Sequence, residues 1–293
     1  MDRNDIKVKQ MKYLNLGCGD YFSKEKEWVN LDFVSSHEEV IAHNLLKGIP
    51  FEDNTFDLVY HSHVLEHFSK EDGEILISEC FRVLKPNGVL RIAIPDLERI
   101  AKKYLYFLEQ GISNPNDEVI RANYEWMKIE MYDQTVRNIS GGDMKKYIRQ
   151  EKMINDDFVF QRIGEEGRVM RNKFLNAKNN SKQVQSSEKK NMPSIITRII
   201  NKLKKVIKNK IIKSLDINPD YIAIGSFRLG GEIHQWMYDR YSLTSLLTHK
   251  GGFKIEVRDA FSSYINNWAE YKIDGKDNVV RKPDSLFIEC IKK

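Results

Sequence analysis

Cysteine is scarce in this chain. Its three cysteines, Cys18, Cys80 and Cys290, lie far apart in 293 residues and form no CxxC pair. That excludes a disulfide framework and a cysteine-built zinc site, and single thiols suit a reducing, cytoplasmic setting. No apolar run reaches the length of a membrane span, and the opening stretch "MDRNDIKVKQMKYLNL" contains no signal-like apolar core. A distributed basic surface is missing as well. Arg198, Lys202, Lys204, Lys205, Lys208, Lys210 and Lys213 fall together, and removing these seven from the formal net charge of +5 leaves −2. A nearly neutral body with one basic segment argues against a nucleic-acid partner. Apolar residues make up 41% and charged residues 30%, which still leaves enough for a core.

What is present is an alternation of strand and helix patterns over the first hundred residues. "KYLNLGCG", "WVNLDF", "EVIAHNL", "FDLVYHS" and "GVLRIAIP" read as five strands. A helical pattern from about Lys70 to Leu84 is stopped by "KPNG", and "DLERIAKKYLYFLEQG" is a helix closed by Gly111. Repeated βα units predict an α/β fold with a doubly wound, mostly parallel sheet. From 112 to 231 the alternation stops. Helical stretches give way to the polar "NAKNNSKQVQSSEKKNM" and then to the basic segment. "EIHQWMYDRYSLTSLLTHKGG" reads as a helix with a glycine stop, and "FKIEVRDAF" and "DSLFIECIKK" as two late strands. Residues 1–111 and 232–293 then make one domain with a seven-stranded sheet, and 112–231 are a mostly helical insertion.

The turn "LNLGCGD" places Gly17 and Gly19 around Cys18 at the end of the first strand. Glycines there let a ligand approach the backbone. Asp32 ends the next strand, where a carboxylate can accept hydrogen bonds from ribose hydroxyls. The dinucleotide spacing GxGxxG is absent, because Tyr21 and Phe22 follow Asp20, so a dehydrogenase is the weaker reading.

"YLNLGCGD", "NLDF", "IPFEDNTFDLVYHSHVLEH" and "ECFRVLKPNGVLRIAIPD" together resemble the class I S-adenosylmethionine-dependent methyltransferases. "WMKIEMYDQTVRNISGGDM" and "GEIHQWMYDRYSLTSLL" are similar to members associated with bacterial surface-polysaccharide synthesis. The resemblance implies S-adenosylmethionine as cofactor. It puts Gly17, Cys18 and Gly19 at the methionine end, Asp32 at the ribose, Asn44 and Leu45 at the adenine, and Ser62 and His63 beside the transferable methyl. Asn44 departs from the acidic residue common at its position. The stretch from Gly19 to Trp28 is too short for the usual first helix, so the insertion is expected to help cover the pocket. The motifs NPPY and DPPY of nucleic-acid amino methylation are replaced by "HSHV".

"HSHVLEH" invites a metal reading, but HExxH is absent and the resemblance accounts for the letters without a metal. No metal is expected, and His67 reads as a packing or capping residue. A base for a hydroxyl acceptor must lie outside the cofactor motifs. His234 is the first choice, with His63 and Asp133 as alternatives, and a capping role for His234 stays open. Asp133, Gln134 and Arg137 lie within about one helical turn, either gripping a polyhydroxylated acceptor or forming an intrahelical ion pair. Trp236 would suit a sugar face or a core. The expected reaction is O-methylation of a sugar hydroxyl in a bacterial glycan or precursor. The alternatives are a small-molecule or natural-product methyltransferase, or a non-catalytic cofactor-binding protein.

Residues 193–213, "PSIITRIINKLKKVIKNKIIK", carry isoleucines and leucine at three- and four-residue steps, with positive charges off that stripe. This pattern predicts peripheral association with an anionic membrane surface, against the alternative of a helix packed on the body.

Overall fold

The computed structural model describes residues 11–35, 37–181 and 218–293. The basic segment 193–213 lies outside the described residues. Strands β1 (Tyr13–Leu16), β2 (Trp28–Asp32), β3 (Val40–Ala42), β4 (Phe56–Ser62), β5 (Leu84–Pro95) and β6 (Gly252–Arg258) come first. A short pair, β7 (Gly275–Lys276) with β8 (Val279–Val280), and then β9 (Ser285–Lys292) follow. Seven of them form one sheet in the order β3-β2-β1-β4-β5-β9-β6. Strands β1 to β5 pair in parallel, and β9 runs antiparallel between β5 and β6. This is the doubly wound sheet expected from the βα alternation, completed by the two late strands.

The helices are α1 (Lys70–Val83), α2 (Leu97–Ser113), α3 (Glu118–Val136), α4 (Gly142–Ile148), α5 (Asp156–Ser181), α6 (Pro219–Arg228) and α7 (Arg240–His249). Three local expectations are corrected. Gly111 does not close α2, which runs on to Ser113. "KPNG" is not a clean stop. Phe56 pairs with Leu84 and Leu58 with Val89, so Lys85 to Gly88 loop out of β5, with Asn87 at φ +64°. Residues 232–238 are not helical, and the helix of that stretch begins only at Arg240.

Alternation along the strands sorts the core into two layers. Leu14, Leu16, Val59 and Ile92 meet α1 through Leu76, Ile77 and Phe81, and α7 through Leu243 and Leu247. Tyr13, Leu58, Tyr60 and Val89 face the other way, onto Trp28, Ile265, Trp268 and Ile273. No helix joins β1 to β2, and the segment around Trp268 fills that layer instead. Arg91 anchors it. Fully buried, it donates to Asp274 at 2.9 Å, to Glu289 at 2.9 Å and to the carbonyls of Ser262 and Asp259 at 2.9 and 2.8 Å. The Trp268 ring lies 4.6 Å from its guanidinium carbon.

The insertion has its own core of Trp126, Met127, Tyr147, Ile148, Val159 and Phe160, with a buried Glu130–Arg162 ion pair. Helix α5 bends at Gly164 (φ 67°, ψ −154°). A Cβ there would sit 2.4 Å from the Arg281 carbonyl oxygen and 2.8 Å from Pro283 Cδ, so only glycine fits against that loop.

Candidate active site

The carboxyl ends of the parallel strands converge with the start of antiparallel β9, since Pro95 pairs with Ser285. At this edge Gly17 (φ +61°) and Gly19 (φ +53°) form the first turn. A Cβ on Gly17 would strike Val64 at 2.3 Å, whereas one on Gly19 would meet nothing within 4 Å. Gly17 is thus required by close packing, and Gly19 leaves open space beside the backbone. A cavity of about 230 Å³ lies here, lined by Asn15, Gly17, Cys18, Gly19, Asp20, Tyr21, Tyr60, Ser62, His63, Glu166, Arg281 and Lys282. The Cys18 thiol is buried and pushed up to about 12, by burial and then by the Asp32 carboxylate, so it stays protonated near neutrality. Asp32 accepts the Gly19 N–H at 2.8 Å and the Val34 N–H at 3.3 Å. A carboxylate has about four lone-pair sites, so acceptor capacity remains.

A second cavity, of about 180 Å³, is lined by His63, Gln134, Arg137, Lys282 and Asp284, with Met144, Ile148, Ile163 and Met170 as its apolar wall. His63, Glu166 and Lys282 line both cavities. His63 is a non-glycine residue at φ +55°, a costly conformation of the kind that clusters at functional sites. Its Nε2 is 2.7 Å from Ser285 Oγ and its Nδ1 is 3.2 Å from Glu66 Oε1. Burial, then Lys282 and His234, hold its proton affinity well below the usual histidine value. Asp284 moves the other way: its carboxyl is pushed up to about 6, by burial and by Glu130, against the pull of Lys282 and Arg162.

The remaining sequence candidates divide. Gln134 and Arg137 reach the second cavity, and Arg137 also pairs with Glu232 at 3.1 Å. Asp133 does not: its carboxylate accepts the amides of Asp143 at 2.7 Å and Met144 at 3.3 Å, which caps α4. His234 lines neither cavity. It is 4% exposed, its ring stands edge-on to His67 at 4.9 Å, and burial depresses its basicity. Trp236 also lines neither cavity and is 40% exposed, with the Lys70 ammonium 5.4 Å from its ring. Asn44 caps the 3-10 turn Leu45–Lys47 by accepting the Leu46 N–H at 3.0 Å, and Leu45 packs against the core. Ser62 accepts from Arg281 at 3.1 Å.

Residues 14–92, the five parallel strands and α1, match a family profile described as "Methyltransferase domain". These residues carry a methyltransferase domain. A probable S-adenosylmethionine-dependent methyltransferase of Mycolicibacterium smegmatis is 39% identical over 56 residues, 19% of this chain and 21% of that protein. The probable methyltransferase ltbC of Aspergillus luteorubrus is 42% identical over 48 residues, 16% of this chain and 17% of that protein. The match therefore spans about a fifth of these relatives' length. Among solved structures, an S-adenosylmethionine-dependent methyltransferase from Archaeoglobus fulgidus aligns over 97% of this chain and 87% of its own, at 12% identity and TM-score 0.37. One from Thermotoga maritima, a possible histamine N-methyltransferase, aligns over 96% and 82%, at 11% identity and TM-score 0.36.

S-adenosylmethionine is the cofactor this methyltransferase domain implies, and the residues present suit it. The open face of Gly19 and the spare acceptor sites of Asp32 match a nucleoside, and the first cavity adds charges of both signs for an amino-acid end. Arg281, 4.2 Å over the Tyr21 ring, offers a cation to a carboxylate. Glu166, on α5, pairs loosely with Arg281 at 3.8 Å and Lys282 at 3.4 Å, and would have to exchange part of that pairing to meet an ammonium. Asp32→Ala should therefore weaken S-adenosylmethionine binding by about 1–3 kcal/mol in calorimetry, the cost of a charged hydrogen-bond pair left unmade. Unchanged affinity in a folded variant would remove Asp32 from the site.

Arg281, Lys282 and Asp284 were missed by sequence reasoning, although a signal existed. An antiparallel strand inside a parallel sheet starts where the others end, so the run "RKPDS" before β9 had to land at the ligand edge. Glu166 offered no such signal.

Proposed function

We propose that the protein transfers the methyl group of S-adenosylmethionine to a hydroxyl of a sugar in a bacterial glycan or glycan precursor. The observation that carries this reading is the junction of the two cavities at His63, Glu166 and Lys282. One cavity suits the cofactor, and the other offers an acceptor hydrogen-bonding groups on one side and an apolar wall on the other. That mixture suits a sugar ring, whose hydroxyls seek partners while its C–H face seeks apolar cover. S-adenosylmethionine supplies an already activated methyl, so the chain's part is alignment, exclusion of water and removal of the hydroxyl proton. Gln134 and Arg137 orient the acceptor. Asp284 takes the proton in preference to His234, because it lines the cavity and its raised pKa suits proton transfer near neutrality. His63, held by Ser285 at Nε2 and standing close to Glu66 at Nδ1, fixes the wall between cofactor and acceptor.

The test is turnover of methyl-labelled S-adenosylmethionine by the full chain against nucleotide sugars, lipid-linked oligosaccharides and finished polysaccharide. Label on a sugar oxygen is the expected result. Label confined to flat aromatic natural products would replace the glycan reading, and cofactor binding without transfer to any acceptor would make this a binding protein.

No helix among the described residues is long and apolar enough to cross a membrane. On sequence grounds, residues 193–213 bring the protein to an anionic lipid surface, where lipid-linked precursors reside. The full chain should co-sediment with anionic vesicles at low salt and be released at high salt. Protein left in the supernatant at low salt would end the membrane reading.

A further inference from the structure

Behind the acceptor cavity, the turn after β4 meets the extended segment 232–236 through a set of buried polar atoms that the methyl-transfer scheme does not use. Glu66 is 1% exposed, and neither carboxylate oxygen has a hydrogen-bond partner among the described residues. His234 is 4% exposed, and its Nδ1 has none either. His67 completes the group: Glu66, His67 and His234 each hold a donor atom within 4.8 Å of the others. Buried polar atoms are satisfied in the great majority of native sites, so an unpartnered carboxylate and an unpartnered imidazole nitrogen on residues gathered this closely call for an occupant.

We propose that Glu66, His67 and His234 bind a zinc-class divalent cation. Two imidazoles and a carboxylate are a borderline donor set, suited to such an ion and poorly suited to calcium or magnesium. The surroundings prepare the donors. His67 Nδ1 lies 3.1 Å from the Ile233 carbonyl oxygen, so Nδ1 carries the proton and donates it, leaving the Nε2 lone pair free. His63 Nδ1 stands 3.2 Å from Glu66 Oε1 without a formed hydrogen bond, within reach of the carboxylate once it turns onto an ion. A backbone carbonyl behind a histidine and a donor behind a carboxylate are the outer contacts that metal ligands keep. The frame is also tied without the ion. The Glu66 carbonyl accepts the Gln235 N–H at 2.7 Å, the His67 carbonyl accepts from Gln235 Nε2 at 2.7 Å, and the His234 N–H donates to the Gln134 carbonyl at 2.9 Å. Bond lengths of about 2.0–2.1 Å call for donors about 3–3.5 Å apart, which side-chain rotation on this fixed backbone can reach. The ion neutralises the buried carboxylate and pins segment 232–236 to the end of β4. Through His63 and Gln134 it fixes one wall of the acceptor cavity. The proposal stands on the donors and not on the identity of the acceptor.

The test uses the full, tag-free chain, stripped with chelator and titrated with Zn²⁺ against a chromophoric competitor. Binding of about one equivalent with an affinity in the micromolar range or tighter is expected. Co²⁺ in place of Zn²⁺ should give a visible ligand-field spectrum. Glu66→Gln and His234→Ala should each weaken Zn²⁺ binding by roughly 100-fold while S-adenosylmethionine affinity is kept, which shows that the variants fold. If either variant loses cofactor affinity, His67→Gln supplies the same comparison with a smaller change of shape. Less than about a fifth of an equivalent bound at ~10 μM free Zn²⁺ would overturn the site and leave a water-filled polar cluster. Binding unaltered by these substitutions would also overturn it, and would assign the metal to surface histidines. Neither result bears on methyl transfer, which is read separately with labelled cofactor.

Discussion

Asp284→Asn should lower turnover at about pH 7.5 by roughly 100-fold or more, with S-adenosylmethionine affinity unchanged, because the substitution keeps the shape and removes the base. In the parent protein the rate should fall as pH drops below about 6, where the carboxyl becomes protonated, by about tenfold for each further unit. The same group has a second signature. Its folded pKa is raised above the unfolded value of 3.8, so the folded state binds the proton more tightly. Stability is therefore lost as pH rises from about 4 to about 6, and the loss persists above that range. Asp284→Asn should accordingly raise stability above pH 6 by on the order of 1–2 kcal/mol in urea denaturation. An inactive, stabilised variant is the expected pair of results. Full turnover would move the base to His63, and reduced stability would show that the carboxylate is paired rather than poised.

Arg91→Met should cost about 3–5 kcal/mol of stability, the largest single loss expected in the sheet layer. The guanidinium satisfies two buried carboxylates and two carbonyls, and methionine would leave Asp274 with neutral donors alone and Glu289 with Arg258, 3.6 Å away, as its remaining cation. Asp274 is also held by Tyr60 Oη at 2.5 Å and Trp268 Nε1 at 3.2 Å, so the loss should spread to the segment that covers β1 and β2. Against a typical total of about 5–15 kcal/mol, this should shift the urea midpoint far down. A change under about 1 kcal/mol would mean that the carboxylates recruit Arg258 or water instead.

The central parallel strands β1, β4 and β5 were legible because they are buried on both faces and read as short apolar runs, whereas edge strand β3 buries only Val40. Seven segments rich in apolar or aromatic residues, split five and two, specify the sheet. The glycine turn and Asp32 were legible for a related reason: their geometry is local to one strand–turn–strand unit. What escaped depends on distant contacts. "EIHQWMYD" has helical spacing, yet bonds from its backbone to the carbonyls of Glu66 and Gln134 hold it extended. Asp133 sits beside Gln134 and Arg137 on one helix, and nothing in that spacing reveals that the loop after α3 turns its amides onto the carboxylate. His67 and His234 are separated by α1, β5, α2 and the whole insertion, so only the folded chain brings them together.

The bend of α5 at Gly164 matters for anyone who would re-engineer the acceptor preference. Because a single missing side chain lets the helix rest on the Arg281 carbonyl and the Pro283 ring, the insertion and the loop carrying the ligand-edge charges are moulded to each other. Helix and loop form one cassette. Chimeras that import a foreign insertion should succeed only when residues 281–284 travel with it.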